Sequence, residues 1–201
     1  GCSTAGEICS TQVFDESLVV TAVRFVNARV RGVVTPLGGP ADSFEAGQRL
    51  AEALDHCGLR HVFVLSEGLR INGSELVSGL TEYLPSHISV TGGLSADGSR
   101  FGETLVLWGD ATASDTIAAV GLYGDSLRVG YGSLGGWDMF GPDRLITRSR
   151  GNVLYELDGT SALSLYRRYL GKYADDLPAS GLLFPLSLAA EGSCTIGGNL
   201  A

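Results

Sequence analysis

A short segment at the start of the chain places a thiol and two hydroxyls in consecutive positions after a glycine. Cys2, Ser3 and Thr4 follow Gly1 directly, and glycine turns at strand ends leave backbone N–H groups open to a small polar ligand. We therefore predict that Cys2, Ser3 and Thr4 bind a ligand. The alternative is that the glycine only permits a tight turn. Cys2 as a nucleophile would need an activating base, and no His or Asp lies near it in sequence, so the segment predicts binding and not catalysis.

A second glycine phrase, Gly92-Gly93, follows a predicted strand. Two small residues at a strand end let the backbone approach a ligand closely. The phrase lacks the Lys-Ser/Thr of a P-loop and the spaced third glycine of a dinucleotide-binding motif. Gly92 and Gly93 are therefore predicted ligand-binding residues without a phosphate signature, the alternative again being a simple turn.

Trp137 follows a further glycine pair and is either the wall of a pocket or part of the core. Ligands of layered α/β sheets favour the crevice outside the carboxyl ends of the strands. We predict that the turn at Ser3 and Thr4, the turn at Gly92 and Gly93, and Trp137 line one cleft.

Histidines and cysteines provide no clear metal motif. The cysteines are Cys2, Cys9, Cys57 and Cys194, with no Cys-x-x-Cys pair and no His at metal spacing, so a structural zinc site is not expected. His56, His61 and His87 each lie at the predicted end of a helix or strand, where surface or capping roles are commoner than haem ligation. We predict no metal ligands.

Composition indicates a folded domain with a sizeable core. Apolar residues make up 44% and charged residues 18% of the 201 residues, and the formal net charge is -8. This charge disfavours nucleic acids and anionic membranes as partners. No apolar run approaches the ~18–20 residues of a membrane helix, so a cytoplasmic protein is expected.

Helices are predicted where a capping residue precedes apolar residues at helical spacing, and strands where β-branched residues form short runs. The predicted helices cover residues 43–56, 73–84 and 160–170. The predicted strands cover residues 17–26, 60–66, 87–91, 103–109, 116–123, 127–132 and 153–157. Asp158 is expected to cap the third helix.

The spacing of these elements predicts an α/β fold with a mixed sheet flanked by helices. Helices separate the first strands, which favours parallel pairing. Gly109-Asp110 and Gly124-Asp125 leave room only for tight hairpins between later strands. The first part is therefore expected to be parallel and the second an antiparallel meander.

Several phrases, taken together and in order, resemble the N-terminal half of the FIST domain, named for F-box and intracellular signal-transduction proteins. They are Gly1-Cys2-Ser3-Thr4-Ala5-Gly6-Glu7-Ile8, Gly92-Gly93-Leu94-Ser95-Ala96-Asp97-Gly98, Gly135-Gly136-Trp137, Gly151-Asn152-Val153-Leu154-Tyr155-Glu156-Leu157-Asp158-Gly159 and Ala162-Leu163-Ser164-Leu165-Tyr166-Arg167-Arg168-Tyr169-Leu170-Gly171. The resemblance runs from Gly1 to about Pro185. None of the phrases is a catalytic signature.

The resemblance also implies domain limits. We expect a FIST-like N-terminal sensory domain over residues 1–188 and a tail of unclear origin over residues 189–201. The family's first strand and helix would precede Gly1, and its C-terminal half would follow the domain. Since the only methionine is Met139, we expect a fragment. If the C-terminal half normally covers this domain, the sheet should expose an unpaired edge or an apolar patch.

Three functions are open at this point. The resemblance implies a non-catalytic domain that binds a small molecule, an amino acid or a related metabolite, and signals to an effector such as a histidine kinase, a diguanylate cyclase or a chemotaxis receptor. Some family members resemble haem-dependent nitric oxide sensors, which makes haem the one cofactor to consider. The third function is a protein-interaction module, as in F-box proteins.

Overall fold

The computed structural model of the protein describes residues 1–132, 136–189 and 193–198. Helices and strands alternate in the first part of the chain, and strands dominate the second. The strands are β1 (Glu7–Cys9), β2 (Gln12–Phe14), β3 (Arg29–Pro36), β4 (Leu59–Ser66), β5 (Ser89–Leu94), β6 (Val106–Trp108), β7 (Ala111–Ala113), β8 (Thr116–Tyr123), β9 (Asp138–Arg150), β10 (Val153–Leu157), β11 (Thr160–Ser161), β12 (Leu186–Ala189) and β13 (Ser193–Gly198). The α-helices are α1 (Ser43–Ala53), α2 (Gly73–Tyr83) and α3 (Ala162–Leu170).

The chain divides into two compact units, Gly1–Tyr131 and Gly132–Ala201. The predicted limits, a domain over residues 1–188 with a tail over residues 189–201, stay a prediction. Part of that tail, residues 190–192 and 199–201, lies outside the described residues.

The first unit contains a mixed sheet with the strand order β3-β8-β4-β5. β4 and β5 are parallel, whereas β8 runs antiparallel to both β3 and β4. The predicted α/β class with a mixed sheet is confirmed. The expected parallel first part is reduced to one parallel pair, because β8 inserts between β3 and β4.

The two helices of this unit cover one face of the sheet. Alternate residues of β4 and β8, such as Val62, Val64 and Ile117, point to this face and are buried, as the period of two along a strand requires. They pack against Leu50 of α1 and Leu80 of α2 in one apolar core. Each fully buried aliphatic side chain of this size contributes about 1.5–3 kcal/mol to stability.

The helices α1 and α2 pack in close contact through one glycine each. A Cβ atom added at Gly79 would collide with the carbonyl oxygen of Phe44, and one added at Gly47 would lie 2.8 Å from the backbone nitrogen of Leu80. Only residues without a side chain allow the two backbones to approach this closely.

Most of the predicted elements around this core are confirmed. The strand predicted at residues 60–66 is β4, and that at residues 116–123 is β8. The helices predicted at residues 43–56 and 73–84 are α1 and α2, with α1 ending at Ala53. The prediction at residues 103–109 is confirmed only over Val106–Trp108, which forms a hairpin with β7 through Gly109 and Asp110.

The strand predicted at residues 17–26 is wrong. Residues 17–25 belong to no helix or strand, and the apolar side chains of this segment are largely exposed. The strand that pairs with β8 at this edge of the sheet is instead β3. Its pairing runs from Arg29 opposite Tyr123 to Pro36 opposite Thr116. Both segments have β-forming residues, but a strand also needs a hydrogen-bonding partner, and β8 accepts only β3 on that side.

The strand predicted at residues 127–132 is also wrong. Gly124 does not begin a hairpin; its N–H donates to the carbonyl oxygen of Gly58 at 3.0 Å, and Leu127 N–H bonds back to Gly124 at 3.1 Å. Residues 127–132 form no helix or strand.

The second unit contains an antiparallel sheet with the order β11-β10-β9-β13-β12. α3 packs on β10 through Leu157, Ala162 and Leu165. The predicted strand at residues 153–157 is β10. The expected cap of α3 is wrong: Ser161, not Asp158, is the N-cap, and its hydroxyl accepts from the N–H of Ser164 at 3.4 Å.

Candidate ligand-binding cleft

The N-terminal segment is held by the backbone on two sides. Cys2 forms an antiparallel bridge with Val106. Ser3 N–H donates to the carbonyl oxygen of Leu105 at 2.9 Å, and Ala96 N–H donates to the carbonyl oxygen of Ser3 at 3.0 Å. The Ser3 hydroxyl accepts a hydrogen bond from Leu105 N–H at 3.0 Å. The side chain of Ser3 therefore stabilises the fold around the turn.

The thiol of Cys2 is in an environment that does not activate it. Burial raises its pKa above the ordinary value. Among the described residues no His, Asp or Glu side chain hydrogen-bonds to this thiol. Since the thiolate is the nucleophilic form, a raised pKa disfavours covalent chemistry at Cys2.

Gly92 and Gly93 lie inside β5 and not after it. A Cβ atom at Gly92 would collide with the carbonyl oxygen of Val64 on the neighbouring strand, whereas one at Gly93 would have no atom within 4 Å. Beyond the strand, Ser95 bonds to the carbonyl oxygen of Ser66 through both its N–H, at 2.7 Å, and its hydroxyl, at 2.9 Å. Gly92 thus allows β5 to pack closely against β4. The residues that follow β5 contact Ser3.

Thr4 and Glu7 form one side of a cleft next to this contact. The Thr4 hydroxyl donates to Glu7 Oε1 at 2.7 Å, and the Ser17 hydroxyl donates to Glu7 Oε2 at 2.8 Å. These two hydrogen bonds, that from Thr4 first, lower the pKa of Glu7. Glu7 is therefore ionised at neutral pH and already has hydrogen-bond partners.

The β1–β2 hairpin brings two further carboxylates to the same place. Glu7 pairs with Phe14 across the hairpin, so Asp15 and Glu16 return beside the turn at residues 4–7. Glu16 has a φ of 51°, an uncommon conformation for a residue with a side chain. The hairpin, and not closeness in sequence, places these carboxylates near Thr4.

The opposite side of the cleft is a loop after β5. Asp97 is buried, and its carboxylate accepts hydrogen bonds from the N–H groups of Gly102 at 2.7 Å, Glu103 at 3.1 Å and Phe101 at 3.2 Å. The bond from Gly102 contributes most to lowering the pKa of Asp97. Asp97 thereby fixes the loop that carries Arg100.

The two sides enclose a cleft of about 310 Å³. It is lined by Thr4, Ala5, Gly6, Glu7, Asp15, Glu16, Asp97, Gly98, Ser99 and Arg100. This volume is at the small end of the ~300–1,000 Å³ typical of ligand pockets. The cleft therefore has the size for one small metabolite.

Three charged side chains of the lining remain open to a ligand. Asp15 and Glu16 form no hydrogen bond or ion pair with another described residue, and Arg100 forms no hydrogen bond but attracts the Asp97 carboxylate electrostatically. Glu7 and Asp97, in contrast, are engaged with the protein itself. The cleft therefore presents both carboxylates, which attract an ammonium group, and a guanidinium, which binds a carboxylate in a planar fork.

The predicted site residues have different positions relative to this cleft. Thr4 lines it, and Cys2 and Ser3 lie immediately before it in the bridge with β6. Gly92 and Gly93 lie in the strand that leads to its second side. Trp137 belongs to the second unit and is 49% exposed, so the cleft shared by Trp137 and the two turns stays a prediction.

Sequence reasoning missed Asp15, Glu16 and Arg100. One signal was present: Asp97-Gly98-Ser99-Arg100 is a polar, glycine-containing loop only four residues beyond Gly93, and such loops often carry binding residues.

Two of the three histidines already have hydrogen-bond partners within the protein. His61 is buried, and its two ring nitrogens bond to Ser89 Oγ at 2.8 Å and Thr91 Oγ1 at 2.9 Å. His56 Nε2 bonds to the carbonyl oxygen of Ala51 at 2.9 Å, and His87 is exposed. Within the described residues, no group of three or more His, Cys, Asp or Glu side chains could hold a metal ion.

The second unit has an apolar pocket of its own, with Arg144 at its wall. The pocket leaves a cavity of only about 10 Å³, roughly the space for one water molecule. Arg144 is engaged with Asp158 Oδ2 at 3.1 Å and the Tyr169 hydroxyl at 2.8 Å. This pocket is therefore part of the packing of the unit.

The first unit combines a mixed α/β sheet with a small polar cleft. The family model of the FIST N domain matches residues 1–160, which is most of the chain. The protein belongs to the FIST N domain family, whose members are generally non-catalytic sensory domains of signal transduction.

No curated protein matches the chain. Among the described residues, no helix has the length and apolar character needed to cross a membrane.

Proposed function

We propose that this chain is a non-catalytic sensory domain that binds an amino acid or a related amine-bearing metabolite in the cleft between residues 4–7 and residues 97–100. The observation that supports this most strongly is the pairing of open charges, Asp15 and Glu16 on one side and Arg100 on the other. An amino acid carries the complementary pair of an ammonium and a carboxylate. Membership of the FIST N domain family supports the sensory role.

Cleft size and charge restrict the ligand further. About 310 Å³ accommodates one amino acid with a small or medium side chain but excludes a dinucleotide. Carboxylates outnumber cations in the lining, so we propose that the ammonium group is the more important determinant of binding.

Sensing requires an effector that reads the bound state. We propose a histidine kinase, a diguanylate cyclase or a chemotaxis receptor, as the family's role in signal transduction suggests. A ligand can shift such a system only by binding one conformation more tightly than another. We propose that the β1–β2 hairpin shifts on binding, because Asp15 and Glu16 follow directly after β2.

A thermal-shift screen tests the proposal. The panel contains L-amino acids, the amines obtained by removing their carboxylate, and the acids obtained by removing their amino group. Because a ligand of the folded state stabilises by RT ln(1 + [L]/Kd), one amino acid or a small group should raise Tm, and the matching amine and acid should raise it less.

Variants of the cleft residues and of control residues show whether a compound that raises Tm binds in the cleft. Asp15→Asn and Arg100→Gln should remove the ligand-induced rise in Tm. Asp110→Asn, on the β6–β7 turn, and Arg128→Gln, both exposed residues of the same unit, should retain it. A panel without any stabilising compound, or equal effects of all four variants, would refute the proposed site.

A further inference from the structure

The carboxylate of Glu7 connects two segments of the chain beside the cleft. Its Oε1 accepts a hydrogen bond from the Thr4 hydroxyl at 2.7 Å, and its Oε2 accepts one from the Ser17 hydroxyl at 2.8 Å. The N–H of Ser17 donates to the same Oε2 at 3.4 Å. Thr4 and Glu7 line the cleft, whereas Ser17 lies outside its lining. Glu7 therefore joins the wall of the cleft to a residue behind it.

Asp15 and Glu16 lie between two residues that are both held by Glu7. The backbone of Glu7 pairs with Phe14 in the β1–β2 hairpin, and its side chain bonds to Ser17. One residue thus fixes both ends of the segment that carries the two carboxylates. Within this segment Glu16 has a φ of 51°, and such a conformation persists only where the surrounding structure enforces it. The hydrogen bonds between Ser17 and Glu7 are contacts of this kind.

The carboxylate of Asp15 lies against the turn at residues 4–7. A Cβ atom added at Gly6 would be 3.7 Å from Asp15 Oδ1. Because Asp15 comes two residues before Ser17, its distance from the turn depends on how firmly Ser17 is held by Glu7.

The cationic side of the cleft is held by a different residue. The carboxylate of Asp97 accepts a hydrogen bond from Gly102 N–H at 2.7 Å and so fixes the loop that carries Arg100. A substitution of Ser17 therefore acts on the carboxylates of the cleft and leaves the contacts that hold the guanidinium intact.

We propose that the hydrogen bonds between Ser17 and Glu7 determine the selectivity of the cleft for compounds that carry an ammonium group, an inference that rests on the proposed function. Ser17 is a positioning residue, which acts through Asp15 and Glu16. An ammonium group has three N–H donors and is bound best by acceptors that are already in place. Holding a binding loop in its bound conformation raises affinity because less ordering is needed on binding.

Isothermal titration calorimetry with two compounds tests this proposal. They are the L-amino acid that raises Tm most in the screen and the acid obtained by removing its amino group. Ser17→Ala should raise Kd for the amino acid about three- to tenfold, as the loss of one hydrogen bond would, and leave Kd for the acid unchanged. Ser17→Thr keeps a hydroxyl and should restore the wild-type Kd. Ser78→Ala, at an exposed position of α2, should change neither value.

An NMR titration of the Glu7 carboxyl group, without any added compound, tests the same contact in the free protein. The hydrogen bond from Ser17 lowers the pKa of Glu7, so Ser17→Ala should raise this pKa. An unchanged pKa would overturn the proposal, as would an equal rise in Kd for the amino acid and the acid. Binding that Asp15→Asn removes and Ser17→Ala leaves unchanged would contradict this inference alone. A wild type that binds no compound of the panel would contradict the proposed function as well.

Discussion

The hydroxyl of Ser3 accepts a hydrogen bond from the N–H of Leu105 at 3.0 Å, across a sequence separation of about a hundred residues. This contact anchors the turn at residues 4–7 to the residue that immediately precedes β6. It also joins the two glycine phrases, because the carbonyl oxygen of Ser3 accepts from Ala96 N–H at 3.0 Å, just beyond β5.

We predict that Ser3→Ala destabilises the first unit. The substitution leaves the N–H of Leu105 without its partner in a partly buried position, and an unmade hydrogen bond of this kind costs about 1 kcal/mol. Urea unfolding followed by circular dichroism measures the change in the free energy of unfolding. Ser99→Ala, in the cleft loop, should change this free energy by less than about 0.5 kcal/mol. An equal effect of the two variants would contradict the anchoring role of Ser3.

A second prediction concerns the contact between α1 and α2. Alanine has the higher helix propensity, so Gly79→Ala would stabilise an isolated helix by about 0.5–1 kcal/mol. In the folded protein the new methyl group would collide with the carbonyl oxygen of Phe44, and we expect a net loss of about 1–3 kcal/mol. The sign of the change in urea unfolding decides between the two effects.

The control for Gly79→Ala is Gly93→Ala, since a Cβ at Gly93 meets no atom within 4 Å. This variant should unfold at a urea concentration close to that of the wild type. If Gly79→Ala stabilises the protein, the close approach of the two helices is wrong.

The third prediction is a pH dependence caused by His61. Burial lowers the pKa of His61 below its ordinary value, so the unfolded chain binds the proton more tightly than the folded one. The stabilisation that comes from keeping His61 neutral is fully present at pH values above about 6.5, the pKa of histidine in the unfolded chain. It is lost as the pH falls through that value toward the lower folded pKa.

Urea unfolding between pH 8 and pH 5 (a window of about 1.5 units on each side of 6.5) measures this dependence. His61→Gln should lower stability at pH 8 and flatten the decline at acidic pH, whereas substitution of the exposed His87 by Gln should keep the wild-type decline. If the free energy of unfolding of His61→Gln fell with decreasing pH as steeply as that of the wild type, groups other than His61 would cause the decline.

The sequence predicted the elements whose signals are local. β4 and β8 are continuous apolar runs between turn residues, and Asn72 caps α2 by accepting from Glu75 N–H at 3.4 Å, so these elements were found within one or two residues. The mixed α/β class followed from their alternation. β9 was missed because Gly141 and Pro142 interrupt its interior, and proline normally argues against a strand.

The failures concern pairing over long distances. Residues 17–26 and Arg29–Pro36 have similar strand composition, and only the partner β8 decides between them. The cleft was located in part, through Thr4, but Asp15 and Glu16 reach it through the β1–β2 hairpin. No spacing in the sequence indicates that the hairpin returns the chain to the cleft. The position of Arg100 depends on the loop that the Asp97 carboxylate holds in place.

The fourth prediction tests the central claim, that an amino acid binds between Arg100 and the carboxylates Asp15 and Glu16. Isothermal titration calorimetry with an amino acid that raises Tm in the screen gives Kd for the wild type, Arg100→Gln and Arg128→Gln. Loss of a hydrogen-bonded carboxylate partner costs about 1.5–3 kcal/mol, so Arg100→Gln should raise Kd roughly 10- to 100-fold. Arg128→Gln should leave Kd unchanged. Equal Kd values for the wild type and Arg100→Gln would contradict the account.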